Sequence, residues 1–388
     1  MKKSIYVLLL GMLMTACSED SDLALINESM QKDPAAQLAE DFFLSVHPDK
    51  TRTSNKGFVV DAIERQIYHA VGDTVLPVEV TRAAIDDSLA FEIQTITFHT
   101  GDQQGYAVVS DDERLKTVYY FTENGQLVDT AEIAPLKEII DSVPLYARQE
   151  IGKQYLKNVT RGIIGNYPQG SIVSTRWSWE WPFNLYAKAC NCNICSNNKY
   201  QGHNPIGHAN VAVAQLIAHC GKFTGTYYGN KNINFASLYP DKSYYANQSN
   251  SDTAVVRIAQ FFHEIALCTQ TQFDCAGTRT HPKAVYRYLC DLGYNCTYAE
   301  ESSVNHNRIV QEITNNLPHF IASSSYAWLI TGVKTEGNYD YYFCNWGNNG
   351  ESDGWSISHP FMRPNPNGLT DYITYSAPFS SIYINSLN

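Results

Sequence analysis

The spacing of apolar residues changes several times along this 388-residue chain. A basic pair, Lys2 and Lys3, precedes an apolar run over residues 5–14 that is too short to span a bilayer. From Asp33 the spacing turns helical. Leu38, Phe42, Phe43 and Val46 form one stripe, Asp33 stands where an N-cap belongs, and Pro34 suits a first turn. A helix ending near His47–Pro48 follows from this. Residues 76–80, 91–99 and 106–110 read as extended segments, with a turn at Asn124–Gly125. Two further helical patterns occupy residues 132–157, through Ile133, Leu136, Ile139 and Ile140, then Leu145, Ile151 and Tyr155.

Residues 158–170 break this texture with Gly162, Gly165, Pro168 and Gly170 and read as a linker. A tryptophan-rich stretch and a cysteine-rich loop come next, followed by a helix of small residues from His208 to about His219. Helical patterns then centre on residues 253–268, 283–291 and 305–316. After Pro318 the chain reads as short strands over 320–322, 327–331, 341–345, 355–358, 372–375 and 382–384. Helices first and antiparallel strands second define an α+β fold. The predicted organisation is a signal segment 1–16, an acidic tether 17–32, an N-terminal α+β domain 33–157, the linker 158–170 and a C-terminal domain 171–388.

Composition narrows the setting. With 44% apolar and 17% charged residues the chain is globular, and a net charge of −11 argues against nucleic-acid partners and against adhesion to anionic membranes. The order basic pair, apolar run, Thr15-Ala16-Cys17 resembles a bacterial lipoprotein signal, although Met14 stands where Leu, Val or Ile is usual. Cys17 is then the lipidated residue, anchoring the protein at the outer membrane or cell surface of a Gram-negative bacterium. Simple secretion by cleavage at the same place is the alternative.

Nine of the ten cysteines fall at or after Cys190. An exported chain with such a cluster is expected to form disulfides, with at least one thiol left over. Cys190, Cys192 and Cys195, with His203 downstream, do not follow a usual closed zinc spacing, so they are read as a stapled loop. No metal ligand and no cofactor are assigned. Trp177, Trp179 and Trp181 alternate, which on a strand makes one packed aromatic face rather than a carbohydrate platform.

Several motifs together resemble the streptopain family of papain-like cysteine peptidases with their pro-domain. They are Gly105-Tyr106-Ala107-Val108-Val109-Ser110-Asp111-Asp112 with Arg114-Leu115; Trp177 with Pro182-Phe183-Asn184; Gly207 with Ala212, Ala214-Gln215 and Leu216-Ile217; Ala327-Trp328-Leu329-Ile330-Thr331-Gly332; and Asn345-Trp346-Gly347 with Gly350 and Ser352-Asp353-Gly354. The resemblance implies a pro-domain-like module followed by a papain-like domain. In an active member, a cysteine at a helix N-terminus is the nucleophile, a facing histidine is the base, an asparagine orients it, and a glutamine helps bind the oxyanion.

Asn345 and Trp346 match the orienting positions, but the rest departs. His208 stands at the nucleophile position, Tyr326 at the base and Trp179 at the oxyanion glutamine. A tyrosine of ordinary pKa, about 10, is a poor base at neutral pH. Cys220 is expected about 18 Å along the helix from His208, and Cys344 should face away from the side of its strand that presents Asn345. The expectation is an inactive homologue that binds a peptide or protein, such as a sibling protease. An active secreted cysteine endopeptidase and a surface adhesin are the alternatives.

Overall fold

A computed structural model describes residues 30–387, apart from 31, 50–56, 72–73, 78–89, 155–169, 226–232, 234, 236–237, 276, 302–303, 337–338, 359–360 and 362–377. The signal segment, Cys17, nearly all of the tether and linker, and the strand expected at 372–375 lie outside the described residues.

The N-terminal part runs α1 (Pro34–Val46), β1 (Phe58–Val71), β2 (Thr74–Pro77), β3 (Ala90–Thr100), β4 (Gln103–Ser110), β5 (Thr117–Thr122) and α2 (Ala134–Gln154). Helix α1 begins where the capping pattern places it: Asp33 Oδ1 accepts the Ala35 N–H at 3.0 Å, and Pro34 opens the first turn. Its stripe of Ala35, Ala36, Ala39, Phe42, Phe43 and Val46 is buried. Strand β1 escapes the hydrophobic pattern because its middle carries Glu64, Arg65 and Gln66, which face solvent. It pairs with β3 nevertheless, and Arg65 bridges to Glu92 at 2.8 Å and to Asp33. Residues 134–154 form one helix rather than the two expected. Pro144 interrupts the propensity, but Leu136, Ile139, Val143, Ala147 and Ile151 keep one continuous buried stripe.

The C-terminal part runs α3 (His208–Cys220), α4 (Thr253–Cys268), α5 (Pro282–Asp291), β6 (Tyr294–Glu301), α6 (His306–Thr314), β7 (His319–Ala322), β8 (Ala327–Glu336), β9 (Tyr339–Asn345), β10 (Gly354–Ile357) and β11 (Phe379–Leu387). Helices precede most of the strands, as the α+β reading requires. Strand β6, rich in polar residues, was not legible from periodicity.

All eleven strands of the described residues share one sheet, in the order β2-β1-β3-β4-β5-β10-β9-β8-β7-β11-β6. The two parts therefore meet edge to edge. Strand β5 pairs antiparallel with β10, setting Trp355 opposite Phe121 and Ser356 opposite Tyr120. Helix α1 lies over this seam, because the ring of Phe42 sits 5.3 Å from Phe121 on one side and 5.0 Å from Tyr341 on the other. Gly354 permits the close pairing: a Cβ there would lie 2.3 Å from the Phe121 carbonyl oxygen.

Candidate active site

Helix α3 carries the position that the sequence marks for a nucleophile. Every residue from Ala209 to Ile217 is buried, which suits a small-residue helix enclosed between β8 and α4. Gly207 opens it at φ +94° and offers no side chain for capping. A Cβ at Gly207 would sit 3.0 Å from Thr278 Cγ2. The first N–H groups of this helix therefore face a cleft of about 1070 Å³, whose lining includes Trp179, His208, Tyr326, Thr278, Ser325 and Glu132.

The three positions that the sequence reading expects to be substituted meet in that cleft. The rings of His208 and Tyr326 stack with centroids 3.7 Å apart, and Trp179 packs edge-on, 4.2 Å from His208 and 6.2 Å from Tyr326. Two of the three commit their polar groups to other partners. Tyr326 donates its hydroxyl to the Trp346 carbonyl at 2.9 Å, and Trp179 Nε1 donates to the Tyr200 hydroxyl at 3.3 Å. His208 Nδ1 is buried without a hydrogen-bond partner. Enclosure, with a smaller contribution from the Lys199 ammonium, holds the His208 pKa down to about 3, so the ring is neutral at physiological pH. A thiolate–imidazolium pair has no counterpart in this arrangement.

The two positions expected to orient the base, Asn345 and Trp346, are engaged elsewhere. Asn345 Oδ1 accepts from Gln215 Nε2 at 2.8 Å and from Gly347 N–H at 3.1 Å, while its Nδ2 donates to the Thr175 carbonyl at 3.2 Å. Gln215 in turn accepts from the Trp177 N–H at 3.3 Å. Asn345 thus fastens α3 to the segment leading into the domain. Trp346 is fully buried, 5.3 Å from Trp328, and its Nε1 donates to the Tyr120 hydroxyl at 3.1 Å. Asp353 accepts the Trp346 N–H at 2.7 Å, and burial raises its pKa to about 7 despite that hydrogen bond and the positive charge of Arg176.

The tryptophans of the leading segment are buried, but not on one strand face. Trp177 packs against Phe261 and Phe262, Trp179 against His208, and Trp181 Nε1 donates to Asn250 at 2.8 Å. The expected disulfides are also absent among the described residues, where all nine cysteines are free thiols. Cys344 is buried alone and Cys220 lies at the far end of α3; burial raises the pKa of both thiols, that of Cys220 to about 12. Neither replaces a nucleophile at His208. Cys275 lines the cleft, but its pKa is pushed up to about 11, chiefly by its hydrogen bond with Cys192. The cleft histidine nearest to Cys275 in sequence, His281, uses Nδ1 to cap α5 by accepting the Lys283 N–H at 3.1 Å.

A helix whose N-terminus opens onto a cleft, faced by antiparallel strands that carry the partner positions, defines a papain-like peptidase fold. Residues 177–356 match the model of the Peptidase C10 family, the streptopain family. The structure is similar to that of a prointerpain A fragment from Prevotella intermedia, with a TM-score of 0.53 and 15% identity over 82% of this chain and 98% of that one. A likeness at that identity is one of fold, and it spans both the pro-domain-like and the papain-like parts. No curated protein matches the sequence.

Proposed function

We propose that this protein is a catalytically silent Peptidase C10 homologue, exported and anchored through Cys17, whose cleft binds a peptide or protein. The observation that supports this most is the His208–Tyr326 stack, 3.7 Å between ring centroids, at the two positions where nucleophile and base belong. With an imidazole of much weakened basicity and a hydroxyl committed to the Trp346 carbonyl, the pair offers neither the thiolate nor the strong base that cysteine-peptidase chemistry needs. The cleft is still large enough for several residues of an extended peptide.

The N-terminal module supports a regulatory role for the same cleft. Glu132 reaches its rim and pairs with Lys199 at 2.6 Å, and Lys199 lies 5.8 Å from the Trp179 ring. A chain with no cysteine chemistry does not cut its own linker, so the module stays attached and the ligand enters a cleft already bordered by it.

The test is hydrolysis of denatured casein by residues 18–388 under reducing conditions, beside His208→Cys/Tyr326→His and the same pair combined with Trp179→Gln. Silence of the wild type with activity in either variant supports a cleft that has lost its catalytic pair. Casein cleavage by the wild type that stops on iodoacetamide treatment overturns the proposal in favour of a cysteine endopeptidase using another thiol. A Cys275→Ser variant then tells whether the cleft thiol is responsible.

A further inference from the structure

The cysteine-rich loop gains a member that its spacing does not reveal. Cys190, Cys192 and Cys195 bring their sulfurs within 4.8 Å of one another. Cys275, 80 positions beyond Cys195, lies outside that 4.8 Å triplet but comes near enough from the segment after α4 to couple electrostatically with both Cys192 and Cys190. His203, the other residue that the sequence offered, is turned away: its Nδ1 lies 2.9 Å from the Ala187 carbonyl. From this geometry we infer that Cys190, Cys192, Cys195 and Cys275 form a tetrathiolate site for a zinc ion, which would pin the 190–204 loop to the 272–279 segment.

The fit is stereochemical. Tetrahedral zinc with four thiolates at about 2.3 Å requires sulfurs about 3.8 Å apart, so the three close thiols need to shift by roughly 1 Å at most. A disulfide pairs sulfurs two by two at bonding distance, whereas these three are mutually close and a fourth approaches two of them. Backbone donors already point at the sulfurs. The Cys192 N–H donates to Cys190 Sγ and the Cys195 N–H to Cys192 Sγ, each at 3.4 Å, an arrangement that stabilises thiolate ligands. The buried Asn204 amide lies 3.5 Å from Cys195 Sγ, and rotated by half a turn it would donate to a thiolate there.

The loop is otherwise held by its own backbone. Cys190 N–H donates to Gly202 O at 2.8 Å, Gly202 N–H to Cys195 O at 2.7 Å, and Ala189 bridges to His203. On the other side Gln272 bridges to Arg279, and Thr278 Oγ1 donates to Pro205 O at 2.7 Å, just ahead of Gly207. Ile194, Cys275 and Thr278 all line the cleft. A zinc ion here would therefore brace one cleft wall beside the N-terminus of α3. The inference stands whether or not the cleft is catalytic.

The experiment uses the full chain, extracted in detergent from the membranes of a Gram-negative host without chelators or nickel resin. Expected are one equivalent of zinc by elemental analysis, native mass spectra carrying that zinc, and loss of the metal on chelation with release of four alkylatable thiols. Cobalt exchanged into the site should give thiolate charge-transfer and tetrahedral d–d absorption, and Cys275→Ser should lose the zinc and both signatures. Zinc-free protein whose non-reduced peptide map joins these four cysteines in disulfides overturns the inference. If Cys275→Ser does not fold, the wild-type metal content and thiol count decide alone.

Discussion

The cleft and the seam are built from neighbouring parts of the same family motifs, yet they have different standing. At the cleft, His208, Tyr326 and Trp179, which stand where the sequence resemblance expects the reacting residues, pack on one another as an aromatic unit. At the seam, the sequence from Asn345 to Gly354 keeps the family pattern, and each of its motif residues holds structure. Asn345 ties α3 to the leading segment, and Trp346 reaches Tyr120 of the N-terminal part. Gly350 accepts through its carbonyl from Asn124 Nδ2 at 3.0 Å, and the Ser352 N–H donates to Asn124 O at 2.6 Å. Gly354 lets β10 approach β5. The most specific motif of the family thus has a structural role of its own, because it also welds the two parts of the fold together. Its presence alone says little about catalysis.

Variants can separate these roles. The largest effect is expected at the weld: Trp346→Ala should cost about 3–5 kcal/mol in urea unfolding, through the cavity beside Trp328 and the lost bond to Tyr120. A cost near zero would remove the structural explanation for the retained motif. Gly354→Ala should cost about 1–3 kcal/mol, since its Cβ meets the Phe121 backbone across the β5–β10 pairing. The conversion of His208 alone to Phe should leave the fold intact, because the stack is aromatic rather than polar, and it should change stability by less than about 1.5 kcal/mol at neutral pH.

The smallest effects are pH slopes, and they run in opposite directions. His208 has a folded pKa near 3, below its unfolded value of about 6.5, so the folded state binds fewer protons between these values. Its contribution to stability is lost as pH falls through that window, and His208→Phe should flatten this acid-side loss. Asp353 has a folded pKa near 7, above the unfolded value of about 3.9, so stability is lost as pH rises from about 4 to 7. Asp353→Asn keeps an oxygen for the Trp346 N–H and should gain stability at pH 8 relative to pH 5. Thermal unfolding of both variants and wild type at pH 4, 5.5, 7 and 8 checks the signs. A slope unchanged by Asp353→Asn would mean that this carboxylate is ionised throughout.

Much of the fold was legible because its signals are local. The cap and stripe of α1, the small-residue helix α3, the three helices that follow and the strands after Pro318 each declare themselves within a dozen residues. The motifs around Gly105, Gly207 and Asn345 also pointed to His208, Tyr326 and Trp179 as positions to inspect, and the structure brings these three together in one cleft. Strands β1 and β6 were not, because their polar middles lack the two-residue alternation and only pairing in the sheet makes them strands. The single helix through Pro144 likewise depends on its buried stripe outweighing propensity.

Only the tertiary structure decided what long-range neighbours do. It fused the two parts into one sheet, packed His208, Tyr326 and Trp179 into one aromatic group, and brought Cys275 from 80 positions away to the neighbourhood of the thiol triplet. Sequence specifies residue types and their spacing along one local element. Which side chains from distant elements share a few ångströms is set by how those elements pack, and that packing is settled by the burial of the whole core.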